Sequence, residues 1–174
     1  HPLDVRSQTE VQTLAASMVS PAHIVVNNAG YGVFGTQEET NLEQVRDLFD
    51  VNVLGPARVT QAFLPQLRET QGVLVQLSSV AGRMVFPESG FYAATKHAVD
   101  AMSQAVALEA SPLGVRVRLV EPGAFATQFY ATAAQCSPER DADSAYQALH
   151  SSWDGWREDV LEEPQDPQWV ADAI

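Results

Sequence analysis

Three short apolar runs each stop at a polar or glycine-bearing turn, and long helical stretches separate them. His23-Ile24-Val25-Val26 stops at Asn27-Asn28-Ala29-Gly30, the run Gly72 to Leu77 stops at Ser78-Ser79, and the run Gly114 to Val120 stops at Pro122-Gly123. Runs this short suit buried strands better than core helices. The segments between them are long enough for right-handed parallel crossovers. The expected class is therefore α/β, a parallel sheet covered by helices on both faces. Ligands of such sheets bind beyond the carboxyl ends of the strands. That rule brings the three turn clusters to one edge.

The rest of the chain fills in around these runs. Leu3-Asp4-Val5 reads as the tail of a strand. Val11, Leu14, Ala15, Met18 and Val19 fall at helical spacing over residues 7–20, and Pro21 ends that helix. A long helix is expected over 38–69 with a kink at Gly55-Pro56. Another is expected over 91–110, closed by Pro112 and Gly114, and a further one near 139–152. Residues 166–174 read as the opening of a last helix. With 174 residues, 45% of them hydrophobic, and no repeat or linker, the chain is expected to form a single domain over 1–174.

A formal net charge of −12 argues against a nucleic-acid partner and against an anionic membrane surface. No run approaches the ~18 apolar residues of a membrane span. Cys136 is the only cysteine, so no internal disulfide forms and a cytoplasmic setting is expected. His1, His23, His97 and His150 are scattered without ligand spacing, so no metal site is expected. Nine of the ten basic residues are arginine, and the one lysine is Lys96.

That lysine stands in Tyr92-Ala93-Ala94-Thr95-Lys96. On a helix the two ends of such a segment share a face. A free phenol titrates near ~10 and is a poor base at neutral pH. An ammonium held ~4 Å away favours the phenolate by roughly 4 kcal/mol, which brings the phenol towards ~7. Such a tyrosine exchanges protons with an alcohol. The plain alternative is a tyrosine and a lysine on a solvated helix face. Ser79, thirteen residues earlier at a strand's carboxyl end, weighs for chemistry, because its hydroxyl can meet the same substrate oxygen.

Taken in order, Asn27-Asn28-Ala29-Gly30, Asn52 before Gly55, Ser78-Ser79-Val80-Ala81-Gly82, Tyr92-x-x-x-Lys96 and Pro122-Gly123 resemble the short-chain dehydrogenases/reductases. The resemblance runs from Leu3 to the C-terminus. It implies a Rossmann-type, doubly wound sheet and an NAD(P)-dependent oxidoreductase that interconverts an alcohol and a carbonyl by hydride transfer. In that scheme Tyr92 is the general acid/base. Lys96 lowers its pKa and binds the nicotinamide ribose, and Ser79 orients the substrate oxygen. Asn52 holds a water in a proton relay, or simply bends its own helix. Asn27, Ala29 and Gly30 line the adenosine side of NAD or NADP, or form an ordinary turn. Asp4 contacts adenine. Pro122 and Gly123 lie against the nicotinamide, or again only make a turn, and Thr127 bonds the carboxamide. Residues 124–160 match the variable substrate lid. There Phe125, Phe129, Tyr130, Trp153 and Trp156 either cover the substrate or pack a loose loop.

The family opens with a glycine-rich turn of pattern T-G-x-x-x-G-x-G that cradles the pyrophosphate, and this chain has no match to it. The expectation is that the first two strand–helix units, roughly 50–60 residues, stand upstream of His1. The strand at 23–26 would then keep an open edge. This chain alone is expected to be inactive, and its choice between NAD and NADP unreadable. A homodimer or homotetramer is expected through the two long helices, with Ala93, Ala94, Ala98, Ala101 and Ala105 allowing close approach. The alternative function is a non-catalytic dinucleotide-binding or oligomer-assembly module.

Overall fold

Strand residues with branched apolar side chains alternate with amphipathic helices, and the backbone follows that pattern. The computed structural model describes residues 2–174 and only the backbone of Leu161, so His1 lies outside the described residues. The elements run α1 (Gln8–Ser17), β1 (Ile24–Asn27), α2 (Leu42–Phe49), α3 (Gly55–Thr70), β2 (Val73–Leu77), α4 (Gly90–Ala110), β3 (Arg116–Val120), α5 (Phe129–Cys136), α6 (Gln147–Glu162) and α7 (Gln168–Asp172). The three strands form one sheet in the order β1-β2-β3, and both pairings are parallel.

Register places Val25, Leu74 and Val117 in one row across the sheet. That row packs against Leu67 of α3 and Val106 of α4, and Val25 also meets the cluster built on Val11 of α1 and Phe63 of α3. The three helices thus cover the same face. A chain that moves across a sheet in one direction by right-handed crossovers puts its helices on one side. On the opposite face Ile24 and Val26 are exposed. Strand β1 pairs on one side only, which is the open edge expected of it.

Five expectations change. The helices that pack on the described sheet cover one face, where coverage of both was expected. Leu3-Asp4-Val5 is not a strand: no neighbour lies alongside to pair with it, and Leu3 and Val5 instead pack on the Val11 cluster. Helix α1 ends at Ser17, before Pro21, because Met18 is already extended. The long helix is interrupted, not merely bent. Residues Asp50–Leu54 form a π turn in which the Gly55 N–H donates to Asp50 O. Pro56 has no N–H to give Asn52 the ordinary i→i−4 bond, so the wider turn is accommodated there. Finally, the helix expected near 139–152 is replaced by α5 and α6 with a loop between. Pro138 disfavours helix at Ser137, which is extended at ψ 156°. In the loop the Asp143 N–H donates to the Asp141 carboxylate at 2.9 Å.

Candidate active site

The carboxyl ends of β1, β2 and β3 open onto one cavity of about 470 Å³. Its floor includes Gly30, Ser78, Ser79, Tyr92, Lys96 and Pro122. Asn28, Gly123 and Thr127 complete the polar side. The sequence-derived set is thus largely brought together, from elements more than 90 residues apart in the chain.

Each floor residue is positioned by the main chain. Ser79 lies two residues past β2 and caps the short 3₁₀ turn Val80–Gly82, accepting from the Ala81 N–H at 3.2 Å. Its hydroxyl also donates to Pro122 O at 3.4 Å. Tyr92 and Lys96 stand one turn apart on α4, and both are buried. Lys96 Nζ lies 5.8 Å from the centroid of the Tyr92 ring and donates to Leu77 O at 3.0 Å. Asn52, in the π turn, is clamped on both sides. Its Nδ2 donates to Tyr31 O at 2.8 Å, and its Oδ1 accepts from the Tyr31 N–H at 3.1 Å. A further bond from Nδ2 reaches Thr95 Oγ1 on α4 at 3.2 Å. Asn52 therefore joins the β1 turn to α4 rather than bonding its own helix.

The expected acidification of the phenol does not appear. Burial pushes the Tyr92 phenol up to about 12, and the nearby Ser79 hydroxyl only partly opposes this. Burial also pushes Lys96 down to about 8, against a counter-pull from Asp100. A cation beside a solvated phenol would lower its pKa. Here the ring is 7% exposed, and desolvation of the phenolate outweighs a cation that sits over the ring and is turned towards Leu77 O.

The other predicted cofactor residues divide. Gly30 and Gly123 face the cavity, Gly123 with open space beside it and Gly30 closely packed. A Cβ at Gly123 would meet nothing within 4 Å, and one at Gly30 would come 3.2 Å from Asn52 Oδ1 and 3.8 Å from Lys96 Nζ. Thr127 lines the cavity while its hydroxyl accepts from the Phe129 N–H at 3.3 Å. Asn27 turns the other way, donating to Thr60 Oγ1 at 3.2 Å, and so ties β1 to α3. Ala29 is exposed and outside the cavity lining. Asp4 is also outside it, and its carboxylate is held below the usual range by the Arg6 guanidinium at 2.8 Å.

Sequence reasoning missed two parts of the site. The first is Phe34, whose ring touches Tyr92, Phe129, Tyr130 and Trp153. Its signal was an aromatic just after Asn27-Asn28-Ala29-Gly30. The second is a buried clasp. Glu88, at φ 60° just before α4, accepts from Arg140 Nη2 at 2.7 Å and pairs with His150 Nδ1 at 2.6 Å. Arg140 also binds Asp154 at 2.6 Å. His150 Nε2 faces Glu39 at 3.3 Å. The clasp fastens α6, and with it Trp153, over the cavity. Among the described residues no cluster of His, Cys, Asp or Glu forms a metal site, and no helix is long and apolar enough to cross a membrane.

A sequence model described as short chain dehydrogenase matches residues 1–136. The chain is 33% identical over 176 residues to the uncharacterized oxidoreductase YusZ of Bacillus subtilis, covering 99% of this chain and 63% of that one. Among solved structures, a short-chain dehydrogenase from Streptomyces avermitilis superposes with a TM-score of 0.82 at 35% identity, covering all of this chain and 63% of its own. An alcohol dehydrogenase from Thermococcus sibiricus complexed with 5-hydroxy-NADP superposes with a TM-score of 0.72 at 30% identity, covering 81% of this chain and 59% of its own. The chain thus spans about three-fifths of the length of the relatives it matches.

Proposed function

The chain belongs to the short-chain dehydrogenase/reductase family, and on that premise we propose that it carries the proton-handling residues of an NAD(P)-dependent oxidoreductase interconverting an alcohol and a carbonyl. The observation that carries this reading is the convergence of Ser79, Tyr92 and Lys96 on one cavity with the open floor at Gly123. The family expects a nicotinamide cofactor there, and the residues fit its ring and ribose. Lys96 has three N–H donors and gives one to Leu77 O, which leaves two for ribose hydroxyls. Gly123 presents a side-chain-free surface to a flat ring. The pyrophosphate-binding turn of the family has no counterpart in this sequence.

When bound, the nicotinamide supplies or accepts the hydride. Tyr92 and its neighbours handle the proton. With its phenol near 12, Tyr92 enters the reaction protonated and donates from Oη to a carbonyl oxygen. Ser79 Oγ bonds the same oxygen and holds it in line. Lys96, titrating near 8, is largely an ammonium at neutral pH and stabilises the phenolate left behind. In the alcohol-oxidising direction that phenolate takes the proton back. Asn52 Oδ1 and Lys96 Nζ both border Gly30, where a water joining them would return the proton to solvent. Residues 124–160 act as the cover of the substrate.

The test is turnover of the full-length protein with a carbonyl panel and both cofactors, against Tyr92→Phe. The variant keeps the ring packing and is expected to lose 10²–10⁴-fold in kcat, the range of general acid catalysis. Equal rates would remove Tyr92 from the mechanism. The same reading includes pairing with a second copy along α4, where Ala94, Ala101 and Ala105 are exposed while Ala93 is buried within the chain. Light scattering that returns only monomer would exclude it.

A further inference from the structure

The wall facing Tyr92 is a continuous train of aromatic rings. From the Tyr92 ring, centroid distances run 5.7 Å to Phe34, then 5.5 Å to Trp153, 4.8 Å to Trp156 and 5.4 Å to Phe86. Phe129 closes the side, 5.4 Å from Tyr92. Lys96 is the only charged side chain among the described residues that line the cavity, and it is committed to Leu77 O and the space beside Gly30. The arginines of the cover are engaged elsewhere. Arg140 pairs with Glu88 and Asp154, and Arg157 lies 3.4 Å from Asp154.

We propose that this cavity selects an uncharged, bulky apolar ketone or secondary alcohol, a long alkyl or fused-ring compound, whose reacting carbon is the one polar point presented to Ser79 and Tyr92. The inference rests on the oxidoreductase reading above and adds its substrate class. Three alternatives lack partners in the wall. A hydroxy or keto acid would bury its carboxylate with no cation free to meet it. A polyol would leave several hydroxyls against rings. A quaternary ammonium group needs an open ring face. Here Trp156 stacks on Trp153 and Phe86, at 25° and 26°, and among the described residues the lining has no carboxylate side chain to balance the ammonium charge. The cavity of about 470 Å³ is shared, the nicotinamide taking the side of Lys96 and Gly123 and the substrate the aromatic side. The Glu88 clasp holds the wall in place before any ligand arrives, since His150 and Trp153 sit one turn apart on α6.

The experiment uses the full-length protein and a matched set of ketones: 2-decanone and its shorter homologues, 2-decalone, 9-oxodecanoate, fructose, and a 2-decanone bearing a terminal trimethylammonium. Binding is read by titration calorimetry and turnover by NAD(P)H consumption. Affinity is expected to rise ~4-fold per added methylene, which corresponds to about 0.8 kcal/mol, and 2-decanone should exceed 9-oxodecanoate by at least tenfold. Trp156→Ala is expected to flatten the chain-length dependence and Trp156→Phe to keep it. Comparable affinity for 9-oxodecanoate, fructose or the ammonium ketone, or no gain with chain length, would overturn the substrate class. Absence of turnover with every carbonyl and both cofactors would instead overturn the oxidoreductase reading, while the binding series still decides what the cavity accepts.

Discussion

The floor of the cleft and its cover are built on different kinds of contact. Lys96, Asn52 and Ser79 each bond main-chain groups: Leu77 O, the Tyr31 peptide, and the Ala81 N–H with Pro122 O. Those partners belong to strand ends and the turns that follow them, so the floor inherits the rigidity of the sheet. The cover has no strand of its own beyond a single bridge, Phe125 to Gln165. It is held by ring contacts and by the charged clasp on Glu88. The floor therefore suits a fixed reaction geometry, and the cover suits a surface that shapes binding without disturbing the chemistry. The difference teaches where to cut. Changes to the floor should act on kcat, and changes to the cover on KM.

After Tyr92→Phe, the largest effect is expected at Lys96. Lys96→Met keeps the stem but leaves the Tyr92 phenolate without its cation, and kcat should fall at least 100-fold with little change in melting temperature. A change confined to KM would place Lys96 with the cover. Next is the clasp. Glu88 has no exposed side-chain surface, so Glu88→Gln leaves Arg140 and His150 facing a neutral group. Breaking a buried pair costs about 3 kcal/mol. The expected result is a KM raised at least tenfold at nearly constant kcat, with protease sensitivity appearing first in 137–162. If kcat collapsed instead, floor and cover would be one unit.

The pH profile sharpens the contrast on the floor alone. A phenol held near 12 keeps its proton through the neutral range, so alcohol oxidation should climb steadily with pH while carbonyl reduction stays level below about 8, where Lys96 begins to lose its charge. Initial rates in both directions between pH 6 and pH 9 check this, and an oxidation limb that is flat would contradict it. The smallest effect concerns Asp100, one turn beyond Lys96. Its carboxylate is buried without a hydrogen-bond partner, and burial raises its pKa despite Ser78 and the Arg83 guanidinium at 3.5 Å. Glu121, also bound to Arg83, faces the same group. Because Asp100 pulls the Lys96 pKa up, Asp100→Asn should move the upper limb of the reduction profile to lower pH. An unmoved limb would show that Lys96 does not sense this group.

How much of this was legible beforehand follows from range. The Tyr92–Lys96 spacing, the strand ends at Asn27, Ser78 and Pro122, and the break near Gly55-Pro56 are all properties of a few consecutive residues. They could be read because helix period, strand length and proline chemistry act locally. The failures came from partners distant in the chain. Leu3-Asp4-Val5 has strand-like residues but no strand beside it. Phe34 joins the aromatic wall through contacts about 95 to 120 residues away, and the Glu88 clasp closes over a gap of 62 residues.

The amino-acid sequence by itself determined the α/β order of elements, the parallel sheet and which side chains stand at the strand ends. Only the tertiary structure decided how deeply those side chains are buried. Burial sets the protonation of Tyr92 and Lys96, because the work of removing a charge from water depends on everything packed around it and not on its neighbours in the chain.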